Sequence, residues 1–187
     1  MSMKKIILIS LLLVFGWLSA GAVDLNKDNR DPQYVESIVK RSQKIVDKLG
    51  LTDVKVAEDV RNVIANRYFE LNDIYEVRDA KVKKIKESGL SGAAKDDALK
   101  AAEYEKDAAL YRSHFAYPAN LSLFLDEKQI EVVKDGMTYG VVKVTYDATI
   151  DMIPSLKEEE KAQIYAWLIE AREFALDAEN SDKKHAA

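Results

Sequence analysis

The sequence predicts an all-α fold, and three observations lead to that prediction. Turn formers are scarce, because only 7 Gly and 3 Pro occur in 187 residues, too few to connect many short strands. Apolar residues recur every three or four positions over long stretches, which is the period of a helix with one buried side. Helix start and stop residues bracket those stretches. We expect about five helices, including a long antiparallel helical hairpin, in a single domain of residues 31–178.

Residues 1–22 form a predicted secretory signal peptide. Two lysines precede an apolar run at 6–18, and small residues follow up to Ala22. This order is that of an export signal, and the run is shorter than the roughly 20 residues that span a bilayer. Cleavage after Ala22 would leave a periplasmic or extracellular protein that begins at Val23. We expect no stable membrane anchor after that cleavage.

The first elements of the mature chain are predicted from the same kind of signals. Residues 23–30 are polar and are predicted to be a disordered leader. Asp31 caps a first helix that has Pro32 in its first turn, and Gly50 ends it. Thr52 is the predicted cap of a second helix. Its apolar stripe is unbroken, and at 1.5 Å per residue the helix would be about 50 Å long.

A cluster of glycine and serine at 88–92 is the predicted reversal between the second helix and an alanine-rich third helix. These two helices would form the hairpin. Pro118 is expected to end or kink the third helix, because proline lacks the amide hydrogen that a helix interior needs. A short fourth helix is predicted to be capped by Asp126 and closed by Gly136.

The last helix begins after Pro154 and carries an apolar side that includes Trp167 and Phe174. We assign Trp167 to the core, because an apolar stripe at helical spacing usually faces the protein interior. The acidic residues at 158–160 complement the positive end of the helix dipole, which explains them without a site. The tail, 179–187, is polar and predicted to be frayed.

The segment at 137–147 does not match the helical pattern around it. It is rich in β-branched and aromatic residues, yet no other part of the sequence offers a partner strand. We therefore expect an extended loop that packs against helices. Long ordered connections in small domains often carry function, so this loop is the first place to look for a site.

Composition and charge exclude several classes of function. With 28 Lys and Arg against 32 Asp and Glu, the net charge is -4, which gives no attraction to nucleic acid. Cysteine is absent, and the two histidines lie far apart in the sequence. We predict no metal site and no cofactor. Nucleophile motifs and phosphate-binding glycine loops are also missing, so no catalytic residue is assigned and nothing supports an enzyme.

Aromatic and acidic residues near the predicted loop are the first candidates for binding. A sugar ring packs its C–H side on an aromatic ring, and planar polar groups beside it bond the hydroxyls. Tyr139 and Tyr146 supply the rings, and Asp147 and Asp151 supply carboxylates shortly after them. The alternative is that both tyrosines pack the loop onto the helices.

Polar residues in the middle of the second helix are the second group of candidates. Asn72 and Asp73 are poor helix formers, so their presence there requires a reason. One reason is a ligand, with Arg78 as an anchor for an anionic group such as the carboxylate of a uronate. The alternative is pairing with carboxylates of other helices. The candidate partners for that pairing are Asp147, Asp151 and Glu170.

Three stretches of the sequence resemble a known family. They are L-G-L-T-D and R-Y-F-E-L-N-D-I-Y-E-V-R-D-A-K within 39–81, K-D-G-M-T-Y-G-V-V at 134–142, and A-W-L-I-E-A-R-E at 166–173. Together they resemble the secreted bacterial domain-of-unknown-function family 3826, which is described as sugar-binding and occurs in bacteria that degrade complex polysaccharides. The resemblance implies export and a role in polysaccharide use.

These observations lead to two hypotheses of function. The first is a secreted, non-catalytic carbohydrate-binding accessory protein of polysaccharide utilisation, which binds oligosaccharide or polysaccharide where the 139–151 segment meets the second helix. The second is a periplasmic helical chaperone or stress-response protein, which would present an exposed apolar concave face. It rests on helix starts at Leu51, Leu125 and Leu156 that look like degraded L-T-x-x-Q motifs.

Overall fold

The structure is a computed structural model that describes residues 22–186. Residues 1–21 of the predicted signal peptide and the last residue of the predicted tail lie outside the described residues. Residues 22–186 form eight helices and contain no strand. The helices are α1 (Pro32–Val46), α2 (Val54–Glu87), α3 (Gly92–His114), α4 (Ala116–Leu121), α5 (Glu127–Met137), α6 (Val141–Met152), α7 (Glu158–Leu176) and α8 (Ser181–Ala186). The prediction of an all-α fold is confirmed, with more helices than the five or so expected.

Most helices begin where capping chemistry predicts. The Asp31 side chain accepts a hydrogen bond from the first turn of α1, which has Pro32 at its start. Asp126 and Gln129 form the predicted capping box of α5. The cap of α2 is Asp53, one residue after the predicted cap, because its carboxylate accepts hydrogen bonds from two amides of the first turn.

The hydrophobic core lies among α1, α2, α4 and α5. The first half of α2 supplies the largest share of it, and its Phe69 and Ile64 are fully buried. The other helices contribute apolar side chains from one side each. The core side chains outside α2 include Ile38, Ile45, Leu121, Val133 and Met137. Burial of this apolar surface is the main source of stability in a domain of this size.

The long helices α2 and α3 pack against each other in opposite directions. Arg67 contacts Ser113 near the end of α3, whereas Arg78 contacts Glu103 further towards the start of α3. The short link between the helices contains Gly89, whose φ of 76° is a left-handed conformation that favours glycine. Pro118 lies inside α4 and not at the end of α3, which stops at His114.

The prediction of an extended loop at 137–147 is wrong. Met137 ends α5, Gly140 adopts a left-handed conformation with φ of 67°, and the residues after it form α6. Helix propensities of β-branched and aromatic residues fall below that of alanine by only about 0.7 kcal/mol or less each. Packing of α6 on α7, which includes an edge contact between the rings of Tyr146 and Tyr165, outweighs that cost.

Residues 23–30, the predicted disordered leader, lie along α2 instead. The Asn66 side chain donates a hydrogen bond to the carbonyl of Asp24 and accepts one from the amide of Asn26, each at 2.8 Å. Leu25 packs against the core. The segment therefore has a defined course, because polar side chains of α2 bond its backbone groups. Nothing in the sequence shows that these side chains have this role.

Trp167 is 60% exposed, so its assignment to the core is wrong. The reason is that α7 faces the rest of the protein mainly through other positions. Arg172 is buried, and its guanidinium bonds Asp135 at 2.7 Å and Glu131, both on α5. Ala175 is also buried in this last part of α7. The predicted apolar stripe, which includes Ala175, thus identifies the buried side of α7 only in part, because Trp167 and Phe174 of the same stripe are exposed.

At Gly136 and in the C-terminal tail the structure differs from the prediction. Gly136 lies inside α5 and does not close it, since the helix ends at Met137. A Cβ at Gly136 would come within 2.9 Å of Ile45, so the close approach of α1 explains the glycine. Part of the predicted frayed tail is α8, and Lys184 of that helix donates hydrogen bonds to the carbonyls of Ala175 and Leu176. Within residues 22–186, every helix is too short or too polar to cross a bilayer.

Candidate functional site

The predicted site residues of the 139–151 segment lie on α6 or just before it. Asp147 pairs with Lys143 at 2.5 Å on the same helix. The ring of Tyr146 meets that of Tyr165 with centroids 5.4 Å apart. Asp151 is exposed near the end of α6. The alternative that Tyr146 packs between elements matches this geometry.

Tyr139 precedes α6 and lies apart from the other candidates. It has a φ of 61° and is 46% exposed. It lines an open cleft of about 760 Å³ that is also lined by basic residues of α1 and of the segment after it, including Lys44 and Lys48. The position of Tyr139 is therefore set by the turn between α5 and α6, and it faces α1.

The polar residues of α2 are engaged within the chain. Asn72 donates a hydrogen bond to Glu76 at 2.8 Å. Asp73 accepts two hydrogen bonds from Arg30 of the leader, at 2.7 and 2.6 Å. Intramolecular pairing also holds for Arg78, with partners other than those expected. The partners of Arg78 are Asp79, Glu103 and Glu179.

The seven predicted residues are therefore not brought together as one site. Within residues 22–186, no hydrogen bond or ion pair joins Asn72, Asp73 or Arg78 to the group on α6. The helix that carries the latter group packs against α7. A different part of the surface, between α3 and α7, brings aromatic and polar side chains into one cleft.

We call this surface the aromatic cleft, and its volume is about 580 Å³. It lies where the end of α3 approaches the end of α7. Three of its aromatic side chains are widely exposed: Tyr111 at 70%, Phe115 at 60% and Phe174 at 70%. The residues that line it are Tyr75, Lys106, Asp107, Leu110, Tyr111, His114, Phe115, Glu170, Glu173, Phe174, Asp177 and Ala178.

The helical spacing of the aromatic residues creates this surface. Tyr111 and Phe115 are four positions apart, so their side chains lie on one side of the chain at the end of α3. Their rings make an edge contact with centroids 5.4 Å apart. The ring of His114 makes a similar contact with Phe115 at 5.1 Å. The rings thus hold one another in place while their outer faces stay open to solvent.

A polar network built on Asp177 forms one side of the cleft. One carboxylate oxygen of Asp177 lies 2.8 Å from His114 Nδ1, and the other accepts a hydrogen bond from Arg67 at 2.5 Å. The hydroxyl of Tyr75 donates a hydrogen bond to the Asp177 carbonyl at 2.8 Å. Burial is the largest cause of the raised pKa of the Tyr75 hydroxyl, which therefore stays protonated and donates at neutral pH.

Lys106 is a cation that lines the same cleft. Burial alone would lower the pKa of Lys106, but hydrogen bonds and charge from Glu103 and Asp107 raise it. Its ammonium lies 5.9 Å from the centre of the Tyr75 ring. In the described part of the chain, no group of three or more acidic or histidine side chains has the arrangement of a metal site. The cleft offers aromatic surface, carboxylates and fixed hydrogen-bond donors.

Comparison with known protein families shows which family the chain belongs to. Residues 35–187 match the model of DUF3826, a family of proteins of unknown function. The chain belongs to the DUF3826 family. A comparison with curated proteins finds no match. The DUF3826 match contains every residue that lines the aromatic cleft and leaves out the leader at 23–30. The family predicted from sequence resemblance is confirmed.

Sequence reasoning missed the residues of the aromatic cleft. It places Phe174 only on the apolar side of the last helix, and Tyr111 lies in an alanine-rich helix that shows no strong apolar side. A local signal does exist. Tyr111, His114 and Phe115 have the i, i+3, i+4 spacing that places three ring side chains together on a helix. That signal could not show that α7 of the DUF3826 domain faces them.

Proposed function

We propose that this DUF3826 protein is an exported, non-catalytic carbohydrate-binding protein of polysaccharide utilisation, and that it binds glycans in the aromatic cleft. The observation that carries the proposal is the exposure of Tyr111, Phe115 and Phe174 around the fixed network of Asp177. Large apolar patches that stay open to solvent mark binding surfaces more often than stability features.

The aromatic rings supply the part of the cleft that a sugar needs most. The C–H side of a pyranose packs on the face of an aromatic ring, and the ring edges hold one another in the required orientation. The volume of about 580 Å³ lies in the range of about 300–1,000 Å³ that is usual for small-ligand sites. A short stretch of a glycan chain fits such an open cleft.

The polar side chains favour a neutral glycan over an acidic one. Four carboxylates, from Asp107, Glu170, Glu173 and Asp177, line the cleft, whereas among the described residues that line it Lys106 is the only lysine or arginine. Three of the four carboxylates are paired with cations of the chain, and their remaining lone pairs accept hydrogen bonds from sugar hydroxyls. Lys106 is itself paired with Glu103 and Asp107, so it is a poor anchor for a uronate. Because Arg78 is engaged by three carboxylates of the chain, it does not supply the anionic anchor that the sequence suggested.

Calorimetry with a panel of neutral oligosaccharides and matching uronates tests the proposal. We expect at least one neutral glycan to bind, with its uronate counterpart weaker. Phe174→Ala should lower the affinity about tenfold, the loss expected for one stacked ring. Trp167→Ala is the matched control, because Trp167 is a large exposed aromatic residue on α7 that does not line the cleft. No heat across the panel, or equal losses in the two variants, would contradict the proposal.

A second candidate function is that of a periplasmic chaperone or stress-response protein. The observation in its favour is the exposure of large apolar side chains on α6 and α7, among them Val144, Met152 and Trp167. Such side chains could contact an unfolded client. An aggregation assay with an unfolded client separates the two functions. If equimolar protein suppresses aggregation of the client, and Trp167→Ala weakens that suppression, the chaperone function is supported. If the protein does not suppress aggregation, the chaperone function is excluded.

A further inference from the structure

Val23 is the first residue after the predicted cleavage point. Side chains of α2 bond both its backbone nitrogen and its backbone carbonyl. The nitrogen of Val23 donates a hydrogen bond to a carboxylate oxygen of Asp59 at 2.7 Å. The carbonyl of Val23 accepts one from the side-chain amide of Asn62, also at 2.7 Å. Asp59 is only 4% exposed. A position at the edge of the domain is thus bound by a buried acidic side chain.

A buried carboxylate requires a cation or several donors, because its removal from water costs several kcal/mol or more. Among the side chains that the structure describes, no lysine, arginine or histidine lies at ion-pair distance from Asp59. The nearest arginine in sequence, Arg61, is engaged by Glu58 and Asn62. The amide of Val23 is a neutral donor and meets this requirement only in part.

We propose that cleavage between Ala22 and Val23 turns this neutral contact into an ion pair between the new α-ammonium group of Val23 and Asp59. Hydrolysis by a signal peptidase adds one water across the peptide bond, leaving a carboxylate on Ala22 and an ammonium on Val23. The nitrogen already lies at ion-pair distance, so the pair forms without rearrangement of α2. This inference rests on export and not on glycan binding, so either can fail without the other.

The pair would fix the leader on the domain. Val23 and Leu25 pack against the core, and Asn66 and Arg30 hold the rest of the leader on α2. An unprocessed chain would keep an amide at the first of these contacts. Cleavage would therefore complete the fold at its N-terminal edge, and the mature protein would be more stable than a form with extra residues before Val23.

The pH dependence of the pair is set by its surroundings. The charged and titratable side chains around it are Glu58 and Arg61 on α2, Asp24 in the leader, and Arg67, Glu70 and Tyr117 along the adjoining cavity. An adjacent carboxylate raises the pKa of an α-ammonium group above its ordinary value of about 8. The stabilisation is therefore present at pH 7, where both groups are charged, and it is lost as the pH rises through the raised value.

Export of the full chain in a bacterial host provides both forms for the test. One form has the natural sequence, and the other carries Gly-Ser inserted between Ala22 and Val23, which moves the ammonium away from Asp59. Mass spectrometry gives the first residue of each product. We expect the natural product to begin at Val23 and to melt about 5 °C above the inserted form at pH 7, a shift typical of one partly buried ion pair in a chain of this length.

Two controls assign the effect to the pair. In the Asp59→Asn background the insertion should change the melting temperature by less than about 1 °C. If that variant does not fold, the pH dependence serves instead, because the gap between the natural and inserted forms should close above about pH 10. A first residue other than Val23, equal melting temperatures at pH 7, or a gap that does not change with pH would overturn the proposal.

Discussion

The guanidinium of Arg67 lies 2.5 Å from the carboxylate of Asp177, although 110 positions separate the two residues in the sequence. Arg67 is 3% exposed, and it also bonds Glu70 at 2.6 Å and Ser113 at 2.8 Å. The contact joins α2 and α3 to the end of α7. Because Asp177 also orients His114, this buried arginine sets the polar side of the aromatic cleft.

Arg67→Met should lower the free energy of unfolding by about 3–5 kcal/mol, because it leaves the carboxylate of Asp177 without its cation in a largely buried place. Urea denaturation at pH 7 measures the change. Arg61→Met is the control, since the pair of Arg61 with Glu58 is more exposed to solvent and is expected to contribute less than about 1 kcal/mol. Similar losses in the two variants would contradict the role given to Arg67.

Tyr111→Ala should weaken glycan binding about tenfold without a loss of stability, because the ring is mostly exposed and contributes little to the core. Tyr104→Ala is the matched control on the same helix. Tyr104 is equally exposed at 70% but does not line the cleft. Titration calorimetry with the glycan that binds the natural protein compares the two. A loss of affinity in Tyr104→Ala as large as that in Tyr111→Ala would move the binding site elsewhere.

Gly136→Ala should destabilise the protein by about 1–3 kcal/mol, although alanine favours a helix by about 1 kcal/mol over glycine. The new Cβ would come within 2.9 Å of Ile45 Cγ1, and the side chain of Ile45, on α1, is buried against α5. Chemical denaturation of a double-mutant cycle tests this. In an Ile45→Ala background, which removes the crowded atoms, Gly136→Ala should be neutral or stabilising. An equal cost in both backgrounds would show that the contact is not the cause.

Burial lowers the pKa of Lys184 to about 8, against about 10.4 in an unfolded chain. Between these values the unfolded chain holds a proton that the folded chain has lost, so the free energy of unfolding rises with pH. Lys184→Met lacks this titration. From pH 7.5 to pH 10.5 the natural protein should therefore gain up to about 3 kcal/mol relative to the variant.

Urea denaturation at several pH values measures that gain. Lys183→Met is the control, because Lys183 is an exposed neighbour on the same helix, and its difference from the natural protein should stay constant with pH. If the difference between Lys184→Met and the natural protein also stays constant, burial does not lower the pKa of Lys184.

The parts of the fold that the sequence predicted are those that depend on chemistry within a few residues. The capping box of Asp126 and Gln129 requires only two side chains three positions apart. The sequence placed the end of α5 at Gly136 and an extended loop after it, and it did not predict the helix α6 that begins after Gly140. This helix forms because it packs on α7, and a local propensity of a few tenths of a kcal/mol per residue could not reveal that contact.

Local sequence patterns could not predict the candidate site either, because the site also depends on tertiary packing. Phe174 and Tyr111 lie 63 positions apart in the sequence, and only tertiary packing brings their helices to one cleft. The polar residues of α2 were a misleading signal. Asp73 and Arg78 interrupt the helix pattern because they bond the leader, α3 and the residues after α7, not because they face a ligand.

The turn between α2 and α3 offers a position for a chemical label. Gly89 and Gly92 both have positive φ, and no atom lies within 4 Å of the place that a Cβ would take at either. Tyr75 of the aromatic cleft precedes Glu87, the last residue of α2, by about 18 Å along the helix. Ser91 of the same turn is exposed, and its side chain makes no capping hydrogen bond to α3. Because the protein contains no cysteine, Ser91→Cys would introduce a single thiol for a fluorophore or a surface tether, away from both ends of the chain and from the cleft.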